Sequence, residues 1–352
     1  MSDGIKINLL LPRQKSIYSD LYNVFNDLSV GLNKIGILNR IYLINVDERR
    51  AEFPYNLSNL IKVDFDLLIN ELKSDEIYLI PDDFNLLNKL NKNGAWPKLS
   101  LVWAHYFYGH KFLFRRYREL PYENFKKFKW FTFMDFLPPR LTLYNNFYYK
   151  ALYNKIIVAQ SLWTLLLLER VYKIPVKGIL RIPVETEFYP FSNNKEHEAL
   201  IYLGGFQDTD IYYLRKVLKI VKKIFKEIKL NAFGDEIILR YIQDFKINYL
   251  GKLSREELGK EYSRHLFTIA PIYNGNFEMV PIQSLLCGTP VISFPQPFME
   301  VTGETLMVAN IENLYEVKQR LTLWSQEIKE LRDHVRNKIL EEMDNELVAK
   351  KL

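Results

Sequence analysis

The chain alternates between two hydrophobic periods, and this limits its fold more than any other feature. Short apolar, β-branched runs fall at residues 5–11, 40–46, 77–80, 99–104, 130–134 and 156–159. They return at 200–203, 230–233, 248–250, 266–270 and 291–294. Such runs, apolar on both faces, mark the strands of buried parallel sheets. Helical repeats lie between them, and Ser161 could cap the helix after 156–159. Leu21, Val24, Phe25, Leu28 and Leu32 form one that stops near Gly36, and Leu214, Val217, Val221, Ile224 and Ile228 line another. Strands alternating with helices predict an α/β protein of doubly wound parallel sheets. The rhythm breaks at 182–199, where Pro183, Pro190 and a polar run at 192–198 predict a linker. The chain then divides into one domain at 1–185, a second at 198–322 and a tail at 323–352, and 352 residues suit two domains better than one. Leu314, Val317, Leu321, Ile328, Leu331, Val335, Ile339 and Met343 recur at spacings that predict one long amphipathic helix.

The most informative stretch is GNFEMVPIQSLLCGTPVIS, residues 275–293. Residues 277–286 read as a loop entering a short buried helix. Gly288 can take positive φ just past its end, and Pro290 cannot continue it. A loop running into a helix offers N–H groups without intrahelical partners, which suit a phosphate. Glu278 and Gln283 beside them could bond hydroxyls. Together these groups suit a phosphate ester that carries a sugar.

This stretch resembles the signature of retaining GT-B glycosyltransferases, above all family four. That signature is a Glu, seven residues, a second Glu, and a small-residue helix ending in Cys-Gly-Thr-Pro-Val. Aligned on Cys287, Gly288, Thr289, Pro290 and Val291, the two carboxylates fall on Gly275 and Gln283, while Phe277 and Pro281 match. Further likeness lies in residues 156–190 (a strand, a Ser-Trp helix and an exit into the linker), 230–236 (a Gly-Asp turn) and 251–271. The resemblance implies two Rossmann-like domains facing a central cleft. The first would hold the acceptor and the second the nucleotide-sugar, and a C-terminal helix would cross back to the first domain.

It also implies roles for particular residues. The backbone of Asn276, Phe277, Glu278 and Met279 would face donor sugar or phosphate, with Gln283 on ribose and Glu278 supplying the lost carboxylate. The bland alternative is a relic loop in which Gln283 only packs. The family's diphosphate-neutralising Arg and Lys fall on Gly205 and, roughly, Asp210. Gly204 and Gly205 would still admit close backbone approach, and Arg215, Lys216 or Lys252 would supply charge. Asp208 and Asp210 also spell a metal-type pair, but Asp210 is better read as a helix cap, so no metal and no other cofactor is expected. Where the family often has His-Asp, Met134 and Asp135 stand. His105 and His110, after the 99–104 strand, are further catalytic candidates, though a lone His is more often structural.

Composition excludes little. The formal charge of +6 favours anionic partners of any kind. A single cysteine, Cys287, rules out an internal disulfide and a zinc cluster. The start lacks a signal-peptide pattern and no run is long enough to span a bilayer, which predicts a cytoplasmic chain. Residues 107–131 are basic and aromatic, an acceptor platform or a peripheral membrane contact, or else a solvated face over core aromatics. Nucleic acid is not an expected partner. Two functional readings remain. One is a metal-independent, retaining transferase acting on a glycan, lipid or protein. The other is a degenerate GT-B protein that binds nucleotide or glycan without turnover.

Overall fold

A computed structural model describes residues 5–14, 20–46, 54–55, 57, 59–104, 152, 154–171, 173–204, 209–272, 277–303, 305–326 and 328–352. The expected strand at 130–134, the basic 107–131 segment, His105, His110, Asp135, Gly205, Asp208 and Asn276 lie outside these residues. The described chain packs as two units. One contains the residues up to Ala104, those from Leu152 to Glu185, and Met343–Leu352. The other is Thr186–Glu342.

The first unit contains β1 (Ile7–Pro12), α1 (Asp20–Lys34), β2 (Leu38–Asn45), β3 (Leu60–Asp64), α2 (Phe65–Glu71), β4 (Ile77–Pro81), α3 (Phe84–Lys92), β5 (Leu99–Ala104), β6 (Ile156–Ala159), α4 (Leu162–Leu166) and β7 (Gly178–Ile179). Its strands pair in parallel in the order β3-β2-β1-β4-β5-β6-β7. Every residue of β1 is buried, as a central strand covered on both faces requires. Ser161 caps α4 as expected, its Oγ accepting from the Thr164 N–H at 3.0 Å.

The second unit contains β8 (Glu196–Leu203), α5 (Ile211–Ile224), β9 (Lys229–Gly234), β10 (Ile247–Gly251), α6 (Arg255–Arg264), β11 (His265–Ala270), α7 (Met279–Leu286), β12 (Val291–Ser293), α8 (Met299–Thr302), β13 (Val308–Asn310) and α9 (Leu314–Trp324). All its strand pairs are parallel, in the order β10-β9-β8-β11-β12-β13. The buried stripe of α5 is Leu214, Val217, Leu218 and Val221, close to the predicted repeat.

Three expectations need correction. The polar end of the predicted linker is the start of a strand: β8 begins at Glu196. Charge does not stop it, because Arg264 pairs with Glu196 at 3.1 Å and Lys229 with Glu198 at 3.1 Å. The predicted single tail helix is three helices, α9, α10 (Lys329–Met343) and α11 (Asn345–Lys350). The last break is built in by Asp344, whose carboxylate accepts from the N–H groups of Glu346 and Leu347 and so starts a new helix. Finally, β3, β7 and β13 were not foreseen. All three are short, and β3 is a partly exposed edge strand carrying Lys62 and Asp64.

The tail thus ends in the first unit, where α11 packs on α1. Gly31 permits this contact, since a Cβ there would overlap the Asn345 carbonyl. Beside it, the Val184 N–H donates to the Met343 carbonyl at 2.8 Å.

A polar network closes the amino ends of β8, β9 and β11. The Asn231 amide gives one hydrogen to Glu198 Oε2 (2.7 Å) and the other to His265 Nε2 (2.8 Å), while His265 Nδ1 donates to the Glu261 carbonyl (2.6 Å). The tautomer follows, because an amide nitrogen can only donate. Burial holds the pKa of His265 below its usual value, outweighing the pull of Glu261 and Glu198. The unfolded chain therefore takes up its proton first as pH falls. His265 contributes full stability above the unfolded value, and this is lost as pH drops through that value towards the folded one. Denaturant unfolding at pH 5–8 should show a slope of at most about 1.4 kcal/mol per pH unit from this residue, and His265→Asn should remove it. An unchanged slope in the variant would contradict the assignment.

Candidate functional site at the carboxyl edge of the second sheet

In the second unit, strand order reverses between β8 and β11: β9 and β10 lie on one side, β12 and β13 on the other. At such a point the chains leaving adjacent strands part in opposite directions and open a crevice at the carboxyl ends, where open α/β sheets take their ligands. The segments after β8, β11 and β12 converge here on Ile272. Thr209 forms an antiparallel bridge with Ile272, the Asp210 N–H donates to the Pro271 carbonyl (2.8 Å), and Gln296 Nε2 donates to the Ile272 carbonyl (2.6 Å). Gly204 closes the end of β8 so tightly that a Cβ would overlap the Ile272 side chain. The Asp210 carboxylate accepts from Tyr213 N at 3.2 Å and caps α5, as the sequence predicts.

From this crevice the chain enters α7. Phe277 is buried at 5% exposure and anchors the entry. Glu278 is the N-cap residue, in extended backbone (φ −74°, ψ 126°), but its carboxylate makes no capping bond to the helix. Met279, opening the helix, and Gln283, one turn on, are half-buried. Gly204 thus lies on the segment leaving β8, and Phe277, Glu278, Met279 and Gln283 on the segment that follows β11. Arg215 is engaged elsewhere: its guanidinium forks onto Asp244 (2.9 and 2.8 Å), bonds the Tyr241 carbonyl and lies over Phe245. Lys252 is exposed beyond the end of β10, and Lys216 bonds the Tyr212 hydroxyl.

The crevice also holds polar atoms that sequence reading missed. Among the described residues, Thr209 Oγ1, Ser293 Oγ and Gln296 Oε1 are buried without a hydrogen-bond partner, at the ends of the segments leaving β8 and β12. Buried polar atoms are normally paired, so these three are oxygens that can still form bonds. One signal was available: Gln296 lies between Pro295 and Pro297 just after an apolar strand. In the first unit, the ends of β6 and β7 show a similar feature. Arg181 donates to the Gln160 carbonyl (3.3 Å), and the buried Gln160 Oε1 has no partner.

The second half of the motif lies at the opposite edge. Gly288 has φ +74° and ends α7 as predicted, tucked against Phe191. Thr289 donates to the Tyr262 carbonyl, and its hydroxyl accepts from Lys195 Nζ at 2.6 Å. Lys195 also donates to the carbonyls of Ser263 (2.7 Å) and Cys287 (2.9 Å). Burial, and secondarily the charge of Arg332, pushes its pKa down to about 7. Three acceptors oppose this, since only the ammonium has three hydrogens to give. Arg336 adds bonds to the Tyr189 and Leu286 carbonyls. These cations meet the carboxyl ends of α6 and α7, where the helix dipole favours positive charge. Cys287 is buried among them, its thiol pushed up to about 12 by burial, and is inert.

Among the described residues, no three His, Cys, Asp or Glu side chains are grouped to hold a metal ion. None of their helices is long and apolar enough to cross a membrane.

No protein-family model and no curated protein sequence matches the chain. Solved structures match it over nearly its whole length. Sucrose-phosphate synthase from Thermosynechococcus elongatus is similar with a TM-score of 0.69 at 13% identity, over 98% of this chain and 97% of that one. Anabaena Alr3699/HepE, solved with UDP and glucose, gives 0.68 at 9% identity, over 99% and 98%. WaaG, a glycosyltransferase involved in lipopolysaccharide biosynthesis, gives 0.66 at 11% identity, over 98% of each chain. With its two parallel-sheet Rossmann-like units, this chain has the GT-B fold.

Proposed function

We propose that this protein is a glycosyltransferase that moves a hexosyl group from a nucleoside-diphosphate sugar to an acceptor held on the first unit. It would act without a metal and with retention of anomeric configuration, in the manner of family four. The observation that carries the reading is the convergence on Ile272 at the strand reversal, with α7 leaving from it. Neighbours of the same fold include HepE with bound UDP and the pneumococcal GtfA with UDP and GlcNAc. In this reading the backbone at 276–279 meets phosphate and sugar, and Gln283 bonds ribose hydroxyls, its amide both donating and accepting. Thr209, Ser293 and Gln296 supply further hydrogen bonds. Preorganised donors stabilise the leaving diphosphate, so binding and positioning make up most of the catalysis.

A second reading has one observation in its favour: Gly275 and Gln283 stand where relatives carry carboxylates. It is a degenerate GT-B protein that binds nucleotide or glycan without turnover. One experiment separates the two. UDP, GDP and ADP are added at about a hundred times their dissociation constants, where binding contributes about 2.7 kcal/mol to stability, and transfer from a panel of nucleotide-sugars is assayed in EDTA. Stabilisation with turnover supports the transferase, and stabilisation alone supports the binding protein. No stabilisation by any of the three, with no turnover, contradicts the transferase and leaves the binding reading to glycan alone. Gln283→Ala should weaken nucleotide binding by about 0.5–1.5 kcal/mol, whereas Gln283→Glu, which keeps the acceptor atoms, should be tolerated.

A further inference from the structure

Helix α5 carries a feature that the candidate site does not use. Its sequence, IYYLRKVLKIVKKI, holds five basic residues and no acidic one. Lys216, Lys219 and Lys223 are spaced at three and four, and Lys226 lies in the turn after the helix end. At 100° per residue the three helical lysines fall within about 60° of one another, opposite the buried stripe of Leu214, Val217, Leu218 and Val221. Lys219, Lys223 and Lys226 are exposed. Among the described residues no carboxylate forms an ion pair with any of them; Asp244 neutralises Arg215 and also attracts Lys219. Tyr212 heads the stripe, 47% exposed, with the Lys216 ammonium 4.1 Å from its ring centre. Helix α9, which packs against α5, adds the exposed Lys318 and Tyr315, the latter 71% exposed.

We propose that this face of α5 docks on a bilayer surface rich in anionic phospholipid. Charge complementarity identifies the partner. The lysines on the helix follow one another over about 10 Å and are point charges rather than the planar forks that read a shaped carboxylate or phosphate ligand. Such a row matches a plane of phosphates. Exposed tyrosines among lysines suit the headgroup level, where a ring meets both apolar and wet surroundings. The contact is peripheral, and it does not depend on glycosyl transfer.

The test is co-sedimentation of the full chain with phosphatidylcholine vesicles, with and without phosphatidylglycerol. Binding is expected only to the anionic vesicles, and it should fall as ionic strength rises from about 0.05 to about 0.5 M. The Lys219→Glu, Lys223→Glu, Lys226→Glu triple variant should bind about a hundredfold more weakly. The milder Lys→Gln triple, less apt to perturb folding, should lie in between. Lys92→Glu with Lys98→Glu, in the first unit, should leave binding close to wild type. Equal binding to neutral vesicles, no loss in either triple variant, or an equal loss in the first-unit control would overturn the proposal. So would tighter binding to a double-stranded DNA probe than to vesicles, since the stripe would then be a general polyanion site.

Discussion

Glu278→Ala is expected to lower turnover of the nucleotide-sugar about a hundredfold or more while leaving UDP affinity within about twofold. Glu278 is the N-cap residue of α7, on the segment that follows β11, and its carboxylate makes no capping bond to that helix. If it takes the place of the motif's missing first Glu at Gly275, it faces the sugar and not the base. A negative charge there gains most when the sugar becomes cationic, so its loss appears in kcat and not in nucleotide binding. Glu278→Gln keeps the shape and hydrogen-bonding capacity and loses the charge, and it should be nearly as damaging. Steady-state kinetics together with UDP titration separate the cases. Loss of UDP affinity with kcat unchanged at saturation would exchange the roles of Glu278 and Gln283. An inert Glu278→Ala would favour the binding protein.

Gly31→Val should destabilise the first unit by about 1–3 kcal/mol, the usual cost of forcing atoms into a packed contact. The added side chain meets the Asn345 carbonyl and the Ala349 side chain, so α11 must lift from α1. Gly178→Ala, where a Cβ meets nothing within 4 Å, is the control and should be close to neutral. A double-mutant comparison locates the effect. In a chain shortened to end before Asp344, Gly31→Val should add little further cost. A full additional loss would place the strain inside α1 and not at the α11 contact.

What the sequence predicted correctly was local. The alternation of strands and helices, the Ser161 and Asp210 caps and the stop at Gly288 each depend on a few adjacent residues, and each is present. What it missed depended on distant partners. The residues of 192–198 look like linker until Arg264 and Lys229, far along the chain, neutralise Glu196 and Glu198. The tail keeps its helical spacing from Leu321 to Ile328, so periodicity could not reveal the break between α9 and α10. Arg215 looked like spare charge for a phosphate because its partner, Asp244, is 29 residues away. The site was legible as a motif, through Phe277 to Gln283, but the buried oxygens of Thr209, Ser293 and Gln296 come together only when three strands end at one place.

The Lys195 clamp has a consequence for how such chains are recognised. The two halves of the 275–293 stretch answer to different demands. Cys287 to Pro290 is held by Lys195 and Tyr262 at the edge remote from the crevice, so its residues are fixed by the requirements of folding. Residues 277–283 lie at the other end of α7, and the proposed function gives Glu278 and Gln283 their task there. On that reading the two halves can change separately, so the presence of Cys-Gly-Thr-Pro reports that this unit can assemble, and the chemistry has to be read from the first half.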